Sequence, residues 1–166
     1  MEQLLILGSD VHCRDGKGGT LKELVIDPQA DGPRVDYLVV HRGLLRSHDH
    51  CVPASTLAEA DATTVRLTVS TEELHALSDL ETLVPGHSYT QRCIPVHCVV
   101  LAEATEIVDA AGERVAQVHG LIVDSDRRVV SILPSTIDLS EIRVSTITDW
   151  RDGQLTLRPR EHEVVA

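Results

Sequence analysis

Leu21-Lys22-Glu23-Leu24-Val25-Ile26-Asp27 and Val118-His119-Gly120-Leu121-Ile122-Val123-Asp124 are one apolar pattern written twice, 97 residues apart. Each copy follows a turn, Arg14-Asp15-Gly16-Lys17 in the first and Ala110-Ala111-Gly112-Glu113 in the second. Each precedes an acidic turn, at residues 27–32 or 124–126, and then a second apolar run, 35–40 or 129–133, at an offset of 94. Further on, residues 52–57 match 142–147, and Val65-Arg66-Leu67 matches Leu155-Thr156-Leu157, both at an offset of 90. Four matches in one order, with an offset that shrinks only across loops, describe two diverged copies of one fold, because insertions settle in loops.

Each copy reads as all-β. Val11-His12-Cys13 and residues 105–108 are short strands entering a glycine-containing turn, and residues 21–27 and 115–124 are the return strands. The nearly continuous β-rich run at 35–40 suits a strand covered on both sides or curled into a barrel. Val65, Leu67 and Val69 alternate with Arg66 and Thr68, the period of a half-buried strand. Asp152-Gly153 marks a tight turn in the second copy. Five or six short strands per copy predict a small closed barrel, which removes exposed edges.

Between the copies, Thr71-Glu72-Glu73 opens a helix with Ser70 or Thr71 as N-cap, acidic residues in its first turn, and Leu74, Leu77 and Leu80 on its apolar face. From there to Pro95 periodicity fades around Pro85-Gly86, which predicts a linker. The expected organisation is a first barrel with its helix at 1–78, a linker at 79–96, and a second barrel with a tail at 97–166.

Composition sets further bounds. Val, Leu and Ile number 21, 20 and 9 of 166 residues, Phe is absent, and Tyr37, Tyr89 and Trp150 are the aromatics. The core must be aliphatic, and a site of stacked aromatics is not expected. Trp150, just before Asp152-Gly153, is placed either to plug a barrel end or to anchor a partner. Fifteen Lys and Arg against 26 Asp and Glu leave a formal charge of −11, which repels phosphate backbones and argues against nucleic acid. No apolar run approaches the ~20 residues of a membrane span, and residues 4–7 are too short for a signal peptide, so a cytoplasmic protein without membrane insertion is expected. Cys13, Cys51, Cys93 and Cys98 are too sparse for a disulfide framework, while an isolated bridge stays open.

The ordered set Gly16-Lys17, Leu24-Val25-Ile26-Asp27, Val35-Asp36-Tyr37-Leu38-Val39-Val40, Leu44-Leu45, Val52-Pro53, Leu57, Val65-Arg66-Leu67 and Thr71-Glu72-Glu73-Leu74 resembles the PRC-barrel domain. The second copy resembles it through residues 109–115, Val118, residues 120–124 and Ile142-Arg143-Val144. In the first copy Gly18-Gly19 is placed to form a bulge, and in the second Pro134 follows the central strand. The resemblance implies two tandem β-barrels used as assembly modules, as in the cytoplasmic domain of the photosynthetic reaction-centre H subunit and the C-terminal domain of a ribosome maturation factor. It implies no catalytic residues.

The most chemically suggestive stretch is His48-Asp49-His50-Cys51. On a strand, residues 48 and 50 share a face, and His and Cys are competent zinc ligands. Cys93, His97 and Cys98 would have to complete such a site. Cys93-x3-His97-Cys98 is not a recognised finger spacing, so a polar loop entering a strand is the preferred reading, and no cofactor is expected. Gly16-Lys17-Gly18-Gly19-Thr20 lacks phosphate-loop spacing and reads as a hairpin, and Asp124-Ser125-Asp126 reads as a turn. The expected function is a non-enzymatic protein-interaction or scaffold module whose partner is another protein, with a C2 homodimer also compatible. The alternative is a metal- or small-ligand-binding regulator using the His and Cys positions.

Overall fold

The apolar runs become strands. The computed structural model describes residues 2–29, 32–45, 47–83, 86, 90–136 and 140–159. Through them the chain forms β1 (Gln3–Ile6), β2 (Asp10–Cys13), β3 (Gly16–Asp27), β4 (Arg34–Arg42), β5 (His48–Pro53), β6 (Leu57–Ala60) and β7 (Thr64–Leu67). Helix α1 (Thr71–His75) follows, then β8 (Glu81–Leu83), β9 (Thr90–Arg92), β10 (Val99–Ala102), β11 (Glu106–Val108) and β12 (Arg114–Val123). The chain continues through β13 (Val129–Pro134), β14 (Ile142–Arg143), β15 (Ile147–Arg151) and β16 (Gln154–Leu157).

Two curled, barrel-like sheets result, with the same strand order. The first runs β5-β4-β3-β2-β7-β6, and the second β14-β13-β12-β11-β16-β15. In each, one pair is parallel, β2 with β7 and β11 with β16. The curl has a local cause. The pairing of β3 with β4 shifts register between Leu21 and Glu23 and between Val25 and Ile26. The pairing of β12 with β13 shifts at the equivalent places, Val118/Gly120 and Ile122/Val123. Bulges bend the strand and increase its twist, so one long strand can serve two walls. A further bulge falls at Gly18, where Val11 faces Gly19 and His12 faces Lys17. A Cβ at Gly18 would lie 2.7 Å from Leu74 Cδ2, so α1 settles closely on this hairpin where it carries a glycine.

Sheet membership does not follow the two halves of the sequence. β1, at the start of the first copy, pairs antiparallel with β12 of the second sheet, from Gln3 opposite Val123 to Ile6 opposite Gly120. β10, which leads the second copy, pairs in the same way with β3 of the first sheet, from Val99 opposite Ile26 to Ala102 opposite Glu23. The exchange is reciprocal. β1 passes so close to β12 that a Cβ on Gly120 would lie 2.5 Å from Leu5 O. Near the pseudo-twofold axis Arg34 bridges to its own counterpart Arg128, with Val35 N–H donating to Arg127 O (2.9 Å) and Val129 N–H to Pro33 O (2.8 Å).

One apolar core therefore spans both sheets. It joins Leu24, Leu38 and Val52 of the first to Leu121, Ile132 and Leu155 of the second, with the exchanged Leu5 and Leu101 between them. Trp150 packs half-buried against this core. A smaller cluster, including Val25, Val39, Cys51, Leu80, Cys98 and Val100, covers the outer face of the first sheet. The 35–40 run is continuous because both its faces are buried.

The segment expected as a linker supplies that outer cover. Cys51 N–H donates to Ser78 O (2.9 Å) and Leu80 N–H to Asp49 O (2.8 Å), so residues 78–80 run alongside β5, and β8 and β9 pair as a hairpin. Helix α1 is five residues long, and Ser70 is its N-cap. The Ser70 hydroxyl accepts from Glu73 N–H (3.1 Å), which caps the helix, and donates to Glu73 Oε1 (3.2 Å). Leu74 is buried in the main core and Leu77 packs against it, but neither Leu77 nor Leu80 is on the helix, and Leu80 belongs to the outer cluster. Among the described residues no helix is long and apolar enough to cross a membrane.

The exchange predicts a remote effect. Leu5→Ala should lower unfolding free energy by roughly 2–5 kcal/mol. In hydrogen exchange, protection should fall first in residues 120–123, about a hundred positions away, and not at neighbouring β2. Loss confined to residues 10–13 would contradict the exchanged pairing.

Candidate functional site

The His48-Asp49-His50-Cys51 stretch is β5, the return strand of a hairpin with β4. Register places Arg42 opposite His48, His41 opposite Asp49, Val40 opposite His50 and Val39 opposite Cys51. Because side chains alternate across a strand, the four residues serve two faces. His48 and His50 stand at the mouth of the first barrel, above Val52 in its core, while Asp49 and Cys51 face outward.

At the mouth, His50 is 2% exposed. Its Nδ1 lies 3.0 Å from Leu77 O, and a carbonyl only accepts, so Nδ1 carries the proton. Arg42 Nε donates to Nε2 at 3.2 Å, which makes that nitrogen the acceptor. The ring stacks on His48 and His75, with centroids 5.6 and 6.1 Å away. Asp79 Oδ2 lies 3.3 Å from His48 Nδ1, and Asp79 Oδ1 lies 3.8 Å from His50 Nδ1. Burial, then Arg42 and His50, hold His75 below the ordinary imidazole range.

On the outer face, Asp49 accepts from Lys22 Nζ (2.6 Å) and His41 Nδ1 (2.7 Å). Burial pushes its carboxyl up, but these two donors outweigh burial and hold it below the usual range. The same contact raises Lys22. A cleft of about 380 Å³ opens beside them, lined by Lys22, Glu23, Asp49, Asp79, Glu81 and Arg92. Arg92 is ion-paired with Glu81 and with Asp152 in the β15–β16 turn, which fastens the β8–β9 hairpin to the second sheet.

The remaining expected ligands lie elsewhere. Cys51 packs with Cys98 in the outer cluster. Burial, then Cys93 and Cys98, push the Cys51 thiol up to about 11, so it is protonated and a poor nucleophile at neutral pH. Cys93 is exposed, and its N–H donates to Leu80 O at 2.9 Å. His97 Nε2 lies 3.4 Å from Asp27 Oδ2. Among the described residues no three His, Cys, Asp or Glu side chains are gathered to hold a metal ion. The strand thus brings His48 and His50 together and sends Cys51 to a different cluster. Asp124 serves its turn, accepting from Asp126 and Arg128 N–H.

Sequence reasoning passed over Arg42, His75, Asp79, Lys22 and His41. Hairpin register would have found two of them, since a turn centred on residue 45 places His41 against Asp49 and Arg42 against His48. At the hairpin tip Leu44 and Leu45 are 100% and 101% exposed.

The class these features define is a pair of curled β half-barrels of about six strands each, joined by exchanged strands, with a histidine-lined mouth on the first. No protein-family model matches the chain, and no curated protein matches it.

Asp49 carries a pH signature. A carboxyl whose folded pKa is lowered contributes stability that is complete above its ordinary value near ~4 and is lost as pH falls through the folded value. Asp49→Asn should cost about 1 kcal/mol at pH 7, modest because the group is partly solvated. Urea unfolding across pH should show the variant and wild type converging well below pH ~4. A constant gap down to pH 2 would assign the loss to packing instead.

Proposed function

We propose that this chain is a tandem PRC-type barrel protein that acts without catalysis, as an interaction or scaffold module for another protein. The barrel assignment is supported by the ordered strand pattern that resembles that family and by two sheets of identical order. The interaction reading is carried by Leu44 and Leu45. Two adjacent leucines bury nothing within the chain, yet sit on a hairpin whose strands are tied by Lys22, His41 and Asp49. Burying a leucine against a partner is worth about 1.5–3 kcal/mol, and a rigid platform lowers the ordering cost of binding. The formal charge of −11 favours a protein partner over nucleic acid. The rival reading, a metal- or small-ligand regulator built on the His and Cys positions, has less support, because β5 sends its histidines and its cysteine to opposite faces.

Replacing both tip residues, Leu44→Ser with Leu45→Ser, should leave stability within about 0.5 kcal/mol. It should weaken capture of the native partner at least ~10-fold, as the loss of one buried leucine would. Quantitative affinity purification with wild type and variant side by side checks this. Equal recovery by both proteins would remove the hairpin tip as the docking surface. Submicromolar, salt-sensitive binding of RNA or DNA in a filter assay would overturn the choice of partner class. Sedimentation at micromolar concentration tests the homodimer.

A further inference from the structure

We propose that the mouth of the first barrel is a proton-sensitive latch, with α1 and residues 76–80 closed over it while the His48–His50–His75 stack is uncharged and released when the stack takes up protons. The closed state depends on one hydrogen-bond assignment. Arg42 is always protonated and its Nε can only donate, so His50 Nε2 must be bare to receive it. The other nitrogen is committed to Leu77 O, the backbone group that follows α1. A second proton on His50 would set two N–H donors head to head in a site that is 2% exposed. Asp79 Oδ1, 3.8 Å from Nδ1, offsets part of that charge but does not relieve the clash of donors at Nε2.

The surrounding charges can be named element by element. From β4 comes Arg42, from β5 His48, and from α1 His75, each within the same stack or bonded to it. From the segment after α1 comes Asp79, 3.3 Å from His48 and 3.8 Å from His50. From the β2–β3 turn comes Asp15, already engaged with Thr71 N–H and hydroxyl. Glu73 is held by Ser70 and Arg14. Asp49, His41 and Lys22 lie on the opposite face and neutralise one another. Among the described residues, Asp79 is the carboxylate in contact with the stack, and Asp15 acts on His75 from the neighbouring turn. One proton can be balanced there, but a second and a third repel.

His75 shows the direction. Burial, then the Arg42 and His50 charges, lower its folded pKa below the ordinary histidine value near ~6.5. A histidine with a lowered folded pKa contributes stability that is complete above the ordinary value and is lost as pH falls through the folded one. The latch is therefore closed at pH 7.5 and opens on acidification, as pH falls below the ordinary histidine value near ~6.5. Opening frees Leu77, loosens the Ser78 and Leu80 pairing with β5, and uncovers apolar surface at the root of the hairpin that carries Leu44 and Leu45.

Hydrogen exchange of the full chain at pH 7.5 and 5.0, corrected for intrinsic rates, tests the latch. The amides of Leu74, Ala76, Leu77, Leu80 and Cys51 should lose at least ~10-fold of their protection at pH 5.0, while residues 120–123 in the second sheet keep theirs. His50→Gln supplies a donor for Leu77 O and an acceptor for Arg42 without titrating, and should keep the segment protected at pH 5.0. If His50→Gln is already open at pH 7.5, His48→Gln with His75→Gln serves instead: it leaves the buried bonds in place, removes two of the three imidazoles, and should lose less protection at pH 5.0 than the wild type. Unchanged protection in the wild type, loss spread evenly over both sheets, or the same acid loss in a variant that is closed at pH 7.5 overturns the latch.

Discussion

The ladder between residues 3–6 and 120–123, with its counterpart between residues 99–102 and 23–26, holds this chain as a single body. A central strand of a curled sheet needs a neighbour along both edges over its whole length, because buried backbone donors and acceptors left without partners are costly. β3 and β12 obtain part of that neighbour from the other copy. Leu5 and Leu101 follow their strands and are fully buried in the shared core. Neither sheet is complete without a strand from the other half, and the two cores cannot be separated. A four-residue strand would be a weak ligand if it were free, but here it is delivered by the chain itself.

The pseudo-twofold arrangement is broken by what lies between the copies. A single connecting segment crosses the outer face of the first sheet and buries Leu80 and Cys98 there. A single short helix closes the first barrel's mouth, with Leu74 buried to 0% exposure. The second copy has Ser135 and Thr136 where the first runs on through His41 and Arg42. The His48–His50–His75 network therefore belongs to the first sheet, while the second supplies the Asp152 contact to Arg92. Duplication built the scaffold, and the unrepeated parts differentiated it.

Much of the fold was legible and much of the site was not. The strands announced themselves through apolar alternation, the helix start through Ser70-Thr71-Glu72-Glu73, and the bulge through Gly18-Gly19. The His48-Asp49-His50-Cys51 run drew notice for its residue types, yet its meaning lay in partners 8 to 31 positions away, Arg42, Leu77 and Asp79. Nothing in those residues taken singly marks a buried histidine acting as an acceptor. The packing of the segment after α1 was hidden for a similar reason. Its apolar residues Leu80, Ile94 and Cys98 are too widely spaced to show a period, and they are united only by the sheet they cover.

By itself the sequence determined the all-β character, the duplication, the turns and the helix start, since these follow from side-chain period and local turn chemistry over a few residues. Tertiary structure alone decided which sheet received β1 and β10. Gln3-Leu4-Leu5-Ile6 and Val99-Val100-Leu101-Ala102 are short apolar strands that could pair with either of two homologous edges. Tertiary structure also decided that Cys51 would be buried away from His50 and that His50 would be committed on both ring nitrogens. Such outcomes depend on which distant surfaces the packed chain brings together, and a local pattern carries no information about them.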